Sequence, residues 1–488
     1  MTTLNKDHIL IFPFMAKGHT IPLIDLTHSL LDLSLRVTFI TTPINLPFIL
    51  RSLPPPFSAL QVLTIPFPSS PLLPPSCQST DHLPSPDLYP TFLHLTKLLR
   101  RPFHDLLQNL SSSGDLPLCV ISDFFLGWTL DVCHHFHVPR LVSHGMSAFS
   151  MAICKSLWLH SPYDLVSDDD EPFVVPGSSL RLTWADVPVN YRLRDSDDPV
   201  FRFVDEAGKA DVNSWGVIVN SFADLDGDYV GLFESFYRAG ARAWLVGPLL
   251  LARGGGGESE VDEPDVARVV EWLDQRPGGS VVYVSFGTQT HLSDGQLDEI
   301  ARGLEMSGYD FVWAVRSKTW VVPDGLEGRG LVLRGWAPQR RVLTHRATGG
   351  FMGHCGWNSV LEGLSAGKPM LAWPMIAEQH LNAKFVVDEL RAGLRIPTGK
   401  PWEDGFIVER AVIAEGVKEL MGREKGEMVR ERARELAEAA QQAVKPGGSS
   451  YMGLSGLIEE LRRESSGPVE PAEVTQREWT PKAASVSL

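Results

Sequence analysis

The sequence predicts an α/β protein that consists of two Rossmann-like domains facing each other across a cleft. Its 488 residues suffice for two domains of ordinary size, each with its own core. Short apolar runs typical of β-strands alternate with helical patterns in both halves, which favours parallel sheets with helices on both faces. A segment rich in glycine and acidic residues at 250–264 separates the halves and predicts a flexible linker.

The first domain is predicted to span residues 1–249. Its apolar runs are HILIFPF, RVTFIT, QVLTIPF, CVIS and RLVS, and AWLVGPL at 243–249 ends the domain. Pro-rich stretches at 53–56 and 64–90 interrupt the alternation. They predict long surface loops, which suit the rim of an acceptor site more than a core.

The second domain is predicted to span residues 265–462. The alternation restarts there with VARVVEWLDQR, VVYVSFG, QLDEIARGLEMSG, FVWAV and LVLRGW. A charged helical region after Val408 and an amphipathic segment at 451–462 complete the domain. Residues 463–488 contain three prolines and many small polar residues, so we expect a disordered tail.

Charge and composition narrow the classes of partner and compartment. The formal charge of −15, from 44 basic and 59 acidic residues, disfavours nucleic acids and anionic membranes. No run reaches the roughly 18 apolar residues that a membrane span needs, and the N-terminus lacks the basic and apolar regions of a secretory signal. The five cysteines are odd in number and lack CxxC spacing, which predicts free thiols in a reducing compartment. We therefore expect a cytoplasmic protein.

The most informative stretch is the 44 residues of Trp336–Gln379 (379 − 336 + 1). Its centre, GGFMGHCGWNSVLEGLSAGKP, predicts a strand that ends near Met352, a turn containing Gly353 and Gly356, and a helix that stops at Gly367. Unpaired N–H groups and the dipole at a helix N-terminus hold an anion such as a diphosphate, and glycines let the backbone approach it. The side chains that can donate to its oxygens are those of His354, Asn358 and Ser359.

A ribose site is predicted beside this anion site. Glu362 follows Asn358 by four residues, so both lie on one helical face. A carboxylate near phosphates is unfavourable unless it accepts hydrogen bonds from hydroxyls, and a ribose supplies two of them. Trp336 and Trp357 are candidates for stacking on a flat base and for shaping a sugar pocket. Each residue taken singly also fits a core or surface position, but their combination predicts a nucleotide-sugar site.

This stretch resembles the plant secondary-product glycosyltransferase box of the family 1 UDP-glycosyltransferases, with its length and landmarks intact. The resemblance covers about residues 7–462 and implies the GT-B fold, in which two Rossmann-like domains face each other across a cleft. It implies that Trp336 stacks on uracil and that Glu362 binds ribose. The residues that it implies at the base edge are Ala337 and Gln339. The residues that it implies at the diphosphate are Gly287, Thr288, His354, Gly356, Asn358 and Ser359.

The same resemblance bears on the donor sugar. Glu378 and Gln379 close the box and would hold sugar hydroxyls; a terminal Gln usually goes with glucose and a terminal His with galactose or arabinose. Trp357 is position 22 of the box, where Trp accompanies donors of the UDP-glucose type. His380 follows Gln379 at once, and Glu378 stands where Asp is commoner, so the sugar contacts are the part of the box that most needs testing.

Two polar residues of the first domain lie beyond strand ends, where ligands bind in open α/β sheets. His19 is expected in the loop after the first strand, with Thr20 as a possible N-cap and Pro22 at the start of the next helix. Asp123 is expected just after another strand, in LCVISDFFLGW. A hydroxyl acceptor needs a base near neutral pH, and a carboxylate on the other ring nitrogen would orient it. In the resembling family the His of GHxxP is catalytic and this Asp is its partner.

The expected activity is inverting transfer of glucose from UDP-glucose to a hydroxyl of a small hydrophobic acceptor, such as a flavonoid or other phenolic, to give a β-glucoside. The expected acceptor rests on the small hydrophobic acceptors that the family resemblance implies and on aromatic side chains at Phe14, Phe124, Phe125 and Phe149. No metal or other cofactor is expected, since UDP-glucose is a co-substrate. The chain is expected to act as a monomer, without nucleic-acid partners.

Several alternatives stay open. UDP-galactose, UDP-xylose or UDP-arabinose could replace UDP-glucose, and a nucleotide-sugar-binding protein without catalysis is a second alternative, disfavoured by intact His19 and Asp123. A nicotinamide oxidoreductase is a remote third, because no GxGxxG motif follows a strand. His345 and His380 match no ligand-binding landmark, and we expect structural or solvated roles for both.

Overall fold

The computed structural model describes residues 7–53, 59–166, 168–188, 191, 197–252, 264–326, 328–397 and 407–466. Residues 253–263 of the predicted linker and residues 467–488 of the predicted tail lie outside the described residues. The first residues assigned to that tail are helical, since the last helix continues to Ser466.

The N-terminal half contains a seven-stranded parallel sheet. Two short antiparallel strands, β6 and β7, lie apart from it, and the order within the sheet is β3-β2-β1-β4-β5-β8-β9. The third strand of this order is buried along its whole length, as its apolar run ILIF requires. The strands of this half are β1 (His8–Phe12), β2 (Arg36–Thr41), β3 (Leu60–Thr64), β4 (Cys119–Asp123), β5 (Arg140–Ser143), β6 (Phe173–Val174), β7 (Arg181–Leu182), β8 (Gly216–Val219) and β9 (Arg242–Leu245).

Helices cover both faces of this sheet, as the alternation of patterns predicts. They are α1 (Lys17–Asp32), α2 (Leu46–Ser52), α3 (Tyr89–Lys97), α4 (Arg100–Ser112), α5 (Thr129–His135), α6 (Ala148–His160), α7 (Pro199–Val212), α8 (Ala223–Asp226) and α9 (Val230–Glu234). The Pro-rich region 64–90 has little regular structure beyond short 3-10 turns at Thr80–His82 and Pro86–Leu88.

The C-terminal half repeats the architecture with a six-stranded parallel sheet in the order β12-β11-β10-β13-β14-β15. Its strands are β10 (Val281–Ser285), β11 (Asp310–Val315), β12 (Gly330–Arg334), β13 (Thr348–Gly353), β14 (Met370–Ala372) and β15 (Gly393–Arg395). Its helices are α10 (Pro264–Asp274), α11 (Asp294–Ser307), α12 (Gln339–Thr344), α13 (Trp357–Ser365), α14 (Gln379–Lys384), α15 (Arg410–Met421), α16 (Lys425–Ala443) and α17 (Ser449–Ser466), with a π-helical turn at Phe385–Glu389.

The two sheets fix where ligands can bind. In each sheet the strand order reverses next to its first strand, between β1 and β4 in one and between β10 and β13 in the other. Crevices at the carboxyl ends of the strands on either side of such a reversal are the usual ligand sites of open α/β sheets. The predicted pair His19 and Asp123 lies at the first reversal, and the predicted diphosphate site lies at the second.

The last helix, α17, crosses back to the N-terminal sheet. Its buried residues Leu454, Leu457, Ile458 and Leu461 belong to the same core as the residues of β1 and β2. Arg462 Nη2 lies 2.7 Å from Asp7 Oδ2, and Arg242 Nη1 of β9 lies 3.2 Å from Glu460 Oε2. The N-terminal core is therefore completed by the C-terminal end of the described chain.

Candidate active site

A cleft of about 540 Å³ lies between the two sheets, with walls from both halves of the chain. On the N-terminal side its lining includes Lys17, Gly18, His19 and Asp25 of α1. On the C-terminal side it includes every predicted UDP-sugar residue except Glu378: Gly287, Thr288, Trp336, Ala337, Gln339, His354, Gly356, Trp357, Asn358, Ser359, Glu362 and Gln379. The structure thus brings the predicted donor residues and His19 around one space.

The predicted catalytic base, His19, is joined to its predicted partner by a hydrogen bond between His19 Nδ1 and Asp123 Oδ2 at 2.7 Å. Asp123 is 1 % exposed, and its other oxygen accepts from the N–H of Phe125 at 2.9 Å. The rings of Phe14 and Phe125 meet the His19 ring edge-on, with centroids 5.5 and 5.6 Å away. Because Asp123 occupies Nδ1, Nε2 is the ring nitrogen available to a substrate in the cleft.

Electrostatics favour a basic His19. Burial lowers the pKa of His19, but the Asp123 carboxylate, together with Glu378 and Asp81, raises it by more. The net pKa of His19 therefore lies above its usual range. A carboxylate that raises the pKa of a general base also stabilises the imidazolium that forms when the base takes a proton.

The local setting of His19 differs from the prediction. Helix α1 begins at Lys17, so His19 lies in its first turn, Thr20 is not the N-cap, and Pro22 lies inside the helix. The residue at the N-cap, Ala16, makes no side-chain cap hydrogen bond. Instead Asp81, from the Pro-rich region, accepts from the Lys17 N–H at 3.0 Å and satisfies an orphan donor of the first turn.

Pro22 has a consequence for the domain interface. A proline has no N–H, so the carbonyl four residues earlier, that of Gly18, receives no helical hydrogen bond. This carbonyl accepts from Asn358 Nδ2 of α13 at 2.6 Å. The GHTIP segment thereby offers the opposite domain an acceptor that an uninterrupted helix would have used internally.

The predicted diphosphate site lies at the N-terminus of α13, where Gly356 is the N-cap. Burial lowers the pKa of His354 to about 4, so its imidazole is neutral near pH 7 and carries one N–H donor. A Cβ at Gly287 or Gly356 would approach His354 Nε2 to 2.6 or 2.5 Å, and Gly287 also has a φ of +76°. Both positions therefore require glycine, which leaves their backbone groups accessible.

The predicted ribose end contains charged residues that sequence reasoning missed. Glu362 Oε1 accepts from Arg340 Nε at 3.0 Å, and Oε2 accepts from Gln339 Nε2. Arg340 Nη2 also lies 2.7 Å from Asp25 Oδ2 of α1. The contact joins residues 315 positions apart, so no spacing rule could have suggested it.

The predicted base platform, Trp336, is 45 % exposed at the cleft. The ammonium of Lys17 lies 4.6 Å from its ring centroid, a cation–π contact across the cleft. A stacked uracil would use the same ring, so Lys17 is a third residue, after Arg340 and Asp25, that the sequence did not reveal.

At the predicted sugar end, Trp357 is 2 % exposed and donates its indole N–H to the carbonyl of Asn220 at 2.8 Å. Gln379 Oε1 accepts from the N–H groups of Met375 and Ile376, both at 3.0 Å, so the amide NH₂ is the end left for a ligand. Glu378 Oε1 accepts from Asn382 Nδ2 at 3.2 Å, and burial raises the pKa of Glu378.

Two other predictions concern histidines and aromatic residues. His345 pairs with Asp274 at 3.2 Å and His380 is 3 % exposed; neither lines the cleft. Phe149, expected near an acceptor, is instead fully buried at the domain interface. Its ring stacks on Phe385 with centroids 4.4 Å apart, because its α6 position faces the other domain.

All five cysteines are free, as predicted, and all five are buried. Within the described ranges no cluster of His, Cys, Asp and Glu is placed to hold a metal ion. In the same part of the chain, none of the helices has the length and apolar composition that crossing a membrane requires.

Comparisons with known proteins give the family to which the chain belongs. The family model described as "UDP-glucoronosyl and UDP-glucosyl transferase" matches residues 251–398. The chain is 36% identical to scopoletin glucosyltransferase of Nicotiana tabacum, over 94% of this chain and 98% of the relative. UGT73P12 of Glycyrrhiza uralensis, solved with glycyrrhetinic acid 3-O-monoglucuronide, superposes with a TM-score of 0.82 at 30% identity, covering 94% of this chain and 96% of that one.

A second solved structure is UGT2 of Phytolacca americana, complexed with UDP-2fluoro-glucose and pterostilbene. It has a TM-score of 0.77 at 28% identity and covers 93% of this chain and 100% of that one. With relatives matched over nearly their full length and two parallel α/β sheets on either side of a cleft, the chain belongs to the plant family 1 UDP-glycosyltransferases and is a glycosyltransferase of the GT-B fold.

Proposed function

We propose that the protein transfers glucose from UDP-glucose to a hydroxyl of a small apolar acceptor with inversion at the anomeric carbon. The observation that carries this proposal is the His19–Asp123 hydrogen bond of 2.7 Å, on the cleft wall opposite the N-terminus of α13. A displacement at a sugar carbon needs a base for the incoming hydroxyl and a site for the anionic leaving group. The two walls of the cleft offer one each.

The base acts through His19 Nε2. It takes the proton of the acceptor hydroxyl as the oxygen attacks C1 of the α-linked glucose from the face opposite UDP. The C1–O bond to the diphosphate breaks with its electron pair on UDP, and the product is a β-glucoside. Asp123 holds the ring orientation and stabilises the imidazolium, which later releases its proton to solvent.

The leaving diphosphate is stabilised by groups of the C-terminal wall. The unpaired N–H groups and dipole of the α13 N-terminus face developing negative charge at fixed positions. Ser359, His354 and the backbone at Gly287 and Thr288 line the same region and can donate to phosphate oxygens. We propose that these donors neutralise the departing UDP without a metal ion or other cofactor.

The donor sugar is proposed to be glucose because of Gln379 and Trp357. Gln379 lines the cleft with its oxygen fixed by two backbone N–H groups, so its NH₂ is oriented to donate to a sugar hydroxyl. The adjacent His380 is buried outside the cleft lining, which supports the register in which Gln379 is the sugar-facing residue. UDP-galactose, UDP-xylose and UDP-arabinose are the competing donors.

The acceptor is proposed to be a phenolic or similar flat apolar alcohol. Phe125 is half-buried beside His19, and the buried ring of Phe14 packs against both, with its centroid 4.9 Å from that of Phe125, so an aromatic acceptor that contacts Phe125 would present its hydroxyl to the base. The name of the tobacco relative and the pterostilbene complex point to acceptors of the same kind.

A matrix of UDP-sugars against phenolic, terpenoid and hormone acceptors, read by product mass and by NMR of the anomeric proton, tests this function. We expect a hexose adduct of β configuration with UDP-glucose and phenolics. Gln379→His should shift the donor ratio toward UDP-galactose or UDP-arabinose, with His345→Gln as a control outside the cleft. An α product would contradict inversion, and an equal wild-type rate with UDP-galactose would contradict the glucose assignment.

A further inference from the structure

The ribose-binding carboxylate proposed above is held by a single guanidinium that also reaches the other domain. Arg340 lies between Glu362 of α13 and Asp25 of α1, and all three residues line the cleft. We propose that Arg340 is a positioning residue, which orients Glu362 toward the two ribose hydroxyls and is itself fixed by Asp25. The inference rests on the proposed function, with UDP-glucose as donor, and on the ribose-binding role that the family resemblance implies for Glu362.

The contacts around the guanidinium are arranged as a fork. Its Nε donates to Glu362 Oε1 at 3.0 Å, while Nη2 and Nη1 point to the two oxygens of Asp25 at 2.7 and 3.5 Å. The side chain of Arg340 is 18 % exposed, that of Glu362 13 % and that of Asp25 2 %. Such enclosure restricts a long side chain to one arrangement, and a planar fork suits two carboxylates better than an ammonium does.

This arrangement orients the Glu362 carboxylate without occupying all of its hydrogen-bond acceptor sites. An ionised carboxylate offers about four lone-pair sites, and Arg340 and Gln339 take one on each oxygen. About two sites remain, which is the number that the 2′- and 3′-hydroxyls of a ribose require. Without the guanidinium, the Glu362 carboxylate would lose its partner beside the diphosphate and turn toward solvent, and that change would lose the ribose contact.

Asp25 anchors the far end of the guanidinium because it is buried on a helix. It lies on α1, buried, in the same helix as His19. A guanidinium anchored there cannot follow Glu362 if the carboxylate swings away. The neighbouring Arg341 has an exposed side chain on the same helix, α12, and serves as a matched control for loss of an arginine.

The test compares binding of UDP with binding of 2′,3′-dideoxy-UDP by isothermal titration calorimetry. Hydrogen bonds to a charged group predict that the wild type binds UDP about tenfold or more tightly than the dideoxy analogue. In Arg340→Met this ratio should fall to about threefold or less, because the ribose contacts specifically are lost. Asp25→Asn should lower the ratio partially, and Arg341→Met should leave it unchanged.

Each other outcome has a distinct meaning. If Arg340→Met weakens both nucleotides equally, Arg340 only ties the domains together and the positioning role is overturned. If the wild type shows no preference for UDP over the dideoxy analogue, the ribose assignment of Glu362 fails, and the inference fails with it. Should Arg340→Met not fold, Arg340→Lys decides: its ammonium cannot bridge both carboxylates, so an undiminished ratio in that variant would also overturn the proposal.

Discussion

His19 is the residue whose removal separates catalysis from donor binding. Its ring is hydrogen-bonded to Asp123 and lies on the wall opposite the donor residues. We expect His19→Ala to lower glucoside formation about 10²- to 10⁴-fold, the contribution usual for a general base, while UDP binding by calorimetry stays near wild type. Undiminished acceptor-dependent UDP release by this variant would refute the assignment of His19 as the base.

Asp123 governs the pH at which that base works. Burial lowers the pKa of His19, but the carboxylates of Asp123, Glu378 and Asp81 together raise it by more, so the acid limb of the rate profile should follow the raised pKa, with activity lost as the pH falls through it. Asp123→Asn should shift the acid limb to lower pH and also lower the maximal rate, because the imidazolium loses its stabilising charge. The profile of kcat/KM against pH measures both effects. His345→Ala, which removes a histidine outside the cleft, should leave the limb in place, and an unshifted limb in Asp123→Asn would contradict the coupling.

At the scale of elements, Pro22 in α1 leaves the Gly18 carbonyl available for a hydrogen bond from the other domain. Pro22→Ala restores an N–H that can bond the Gly18 carbonyl within the helix and so compete with Asn358. Weakening the hydrogen bond from Asn358 Nδ2 to the Gly18 carbonyl predicts a rise of about two- to tenfold in KM for the UDP-sugar. The melting temperature should meanwhile hold or increase, since alanine is the better helix residue. Pro47→Ala, in the exposed first turn of α2, should change neither quantity. A lower melting temperature at unchanged KM would show that Pro22 acts on folding alone.

The N-terminus of α13 should make the reaction independent of divalent metal. Its N–H groups and dipole are fixed features of the backbone, so they remain when free metal is removed. We expect initial rates to be the same in excess EDTA as in buffer containing Mg²⁺. Loss of activity in EDTA that Mg²⁺ or Mn²⁺ restores would show that a metal, not the helix, carries the leaving-group charge.

The sequence predicted the elements whose determinants are local and missed those whose determinants are distant. The strand, turn and helix around Gly356 follow from residues within the same stretch, and the structure has them as β13 and α13. The predicted start of α1 was wrong because the N–H of its first residue donates to Asp81, 64 residues away along the chain. Phe149 was misplaced for the same reason: an apolar helix residue can face either side, and Phe385 of the other domain decides which. The roles of Arg340 and Asp25 could not be predicted from the sequence, since a charged residue on a predicted helix usually lies at the surface and its partner here is far away along the chain.

At the scale of the whole molecule, stability of the N-terminal domain should depend on the last described helix. Leu461 of α17 is fully buried in the core that contains β1 and β2. Leu461→Ala should lower the free energy of unfolding by about 2–5 kcal/mol through lost burial and a cavity. Chemical denaturation followed by tryptophan fluorescence measures the change. Met452 lies on the same helix and is 57 % exposed, so Met452→Ala should lower the free energy of unfolding far less. Equal effects of the two substitutions would mean that α17 is not part of that core.

The contacts of α1 also have an evolutionary consequence. Through Lys17, Gly18 and Asp25 this helix meets Trp336, Asn358 and Arg340, so its cleft face is constrained by the donor half of the protein. The Pro-rich region 64–90, at the proposed acceptor rim, has little regular structure and reaches the C-terminal half through Thr80 and Gln289, whose side chains are 3.1 Å apart. Apart from Thr80 and Asp81, which contact Gln289 and the start of α1, this region can therefore accumulate mutations without disturbing donor recognition. New acceptor preferences should arise there first, and directed evolution of acceptor range is best confined to it.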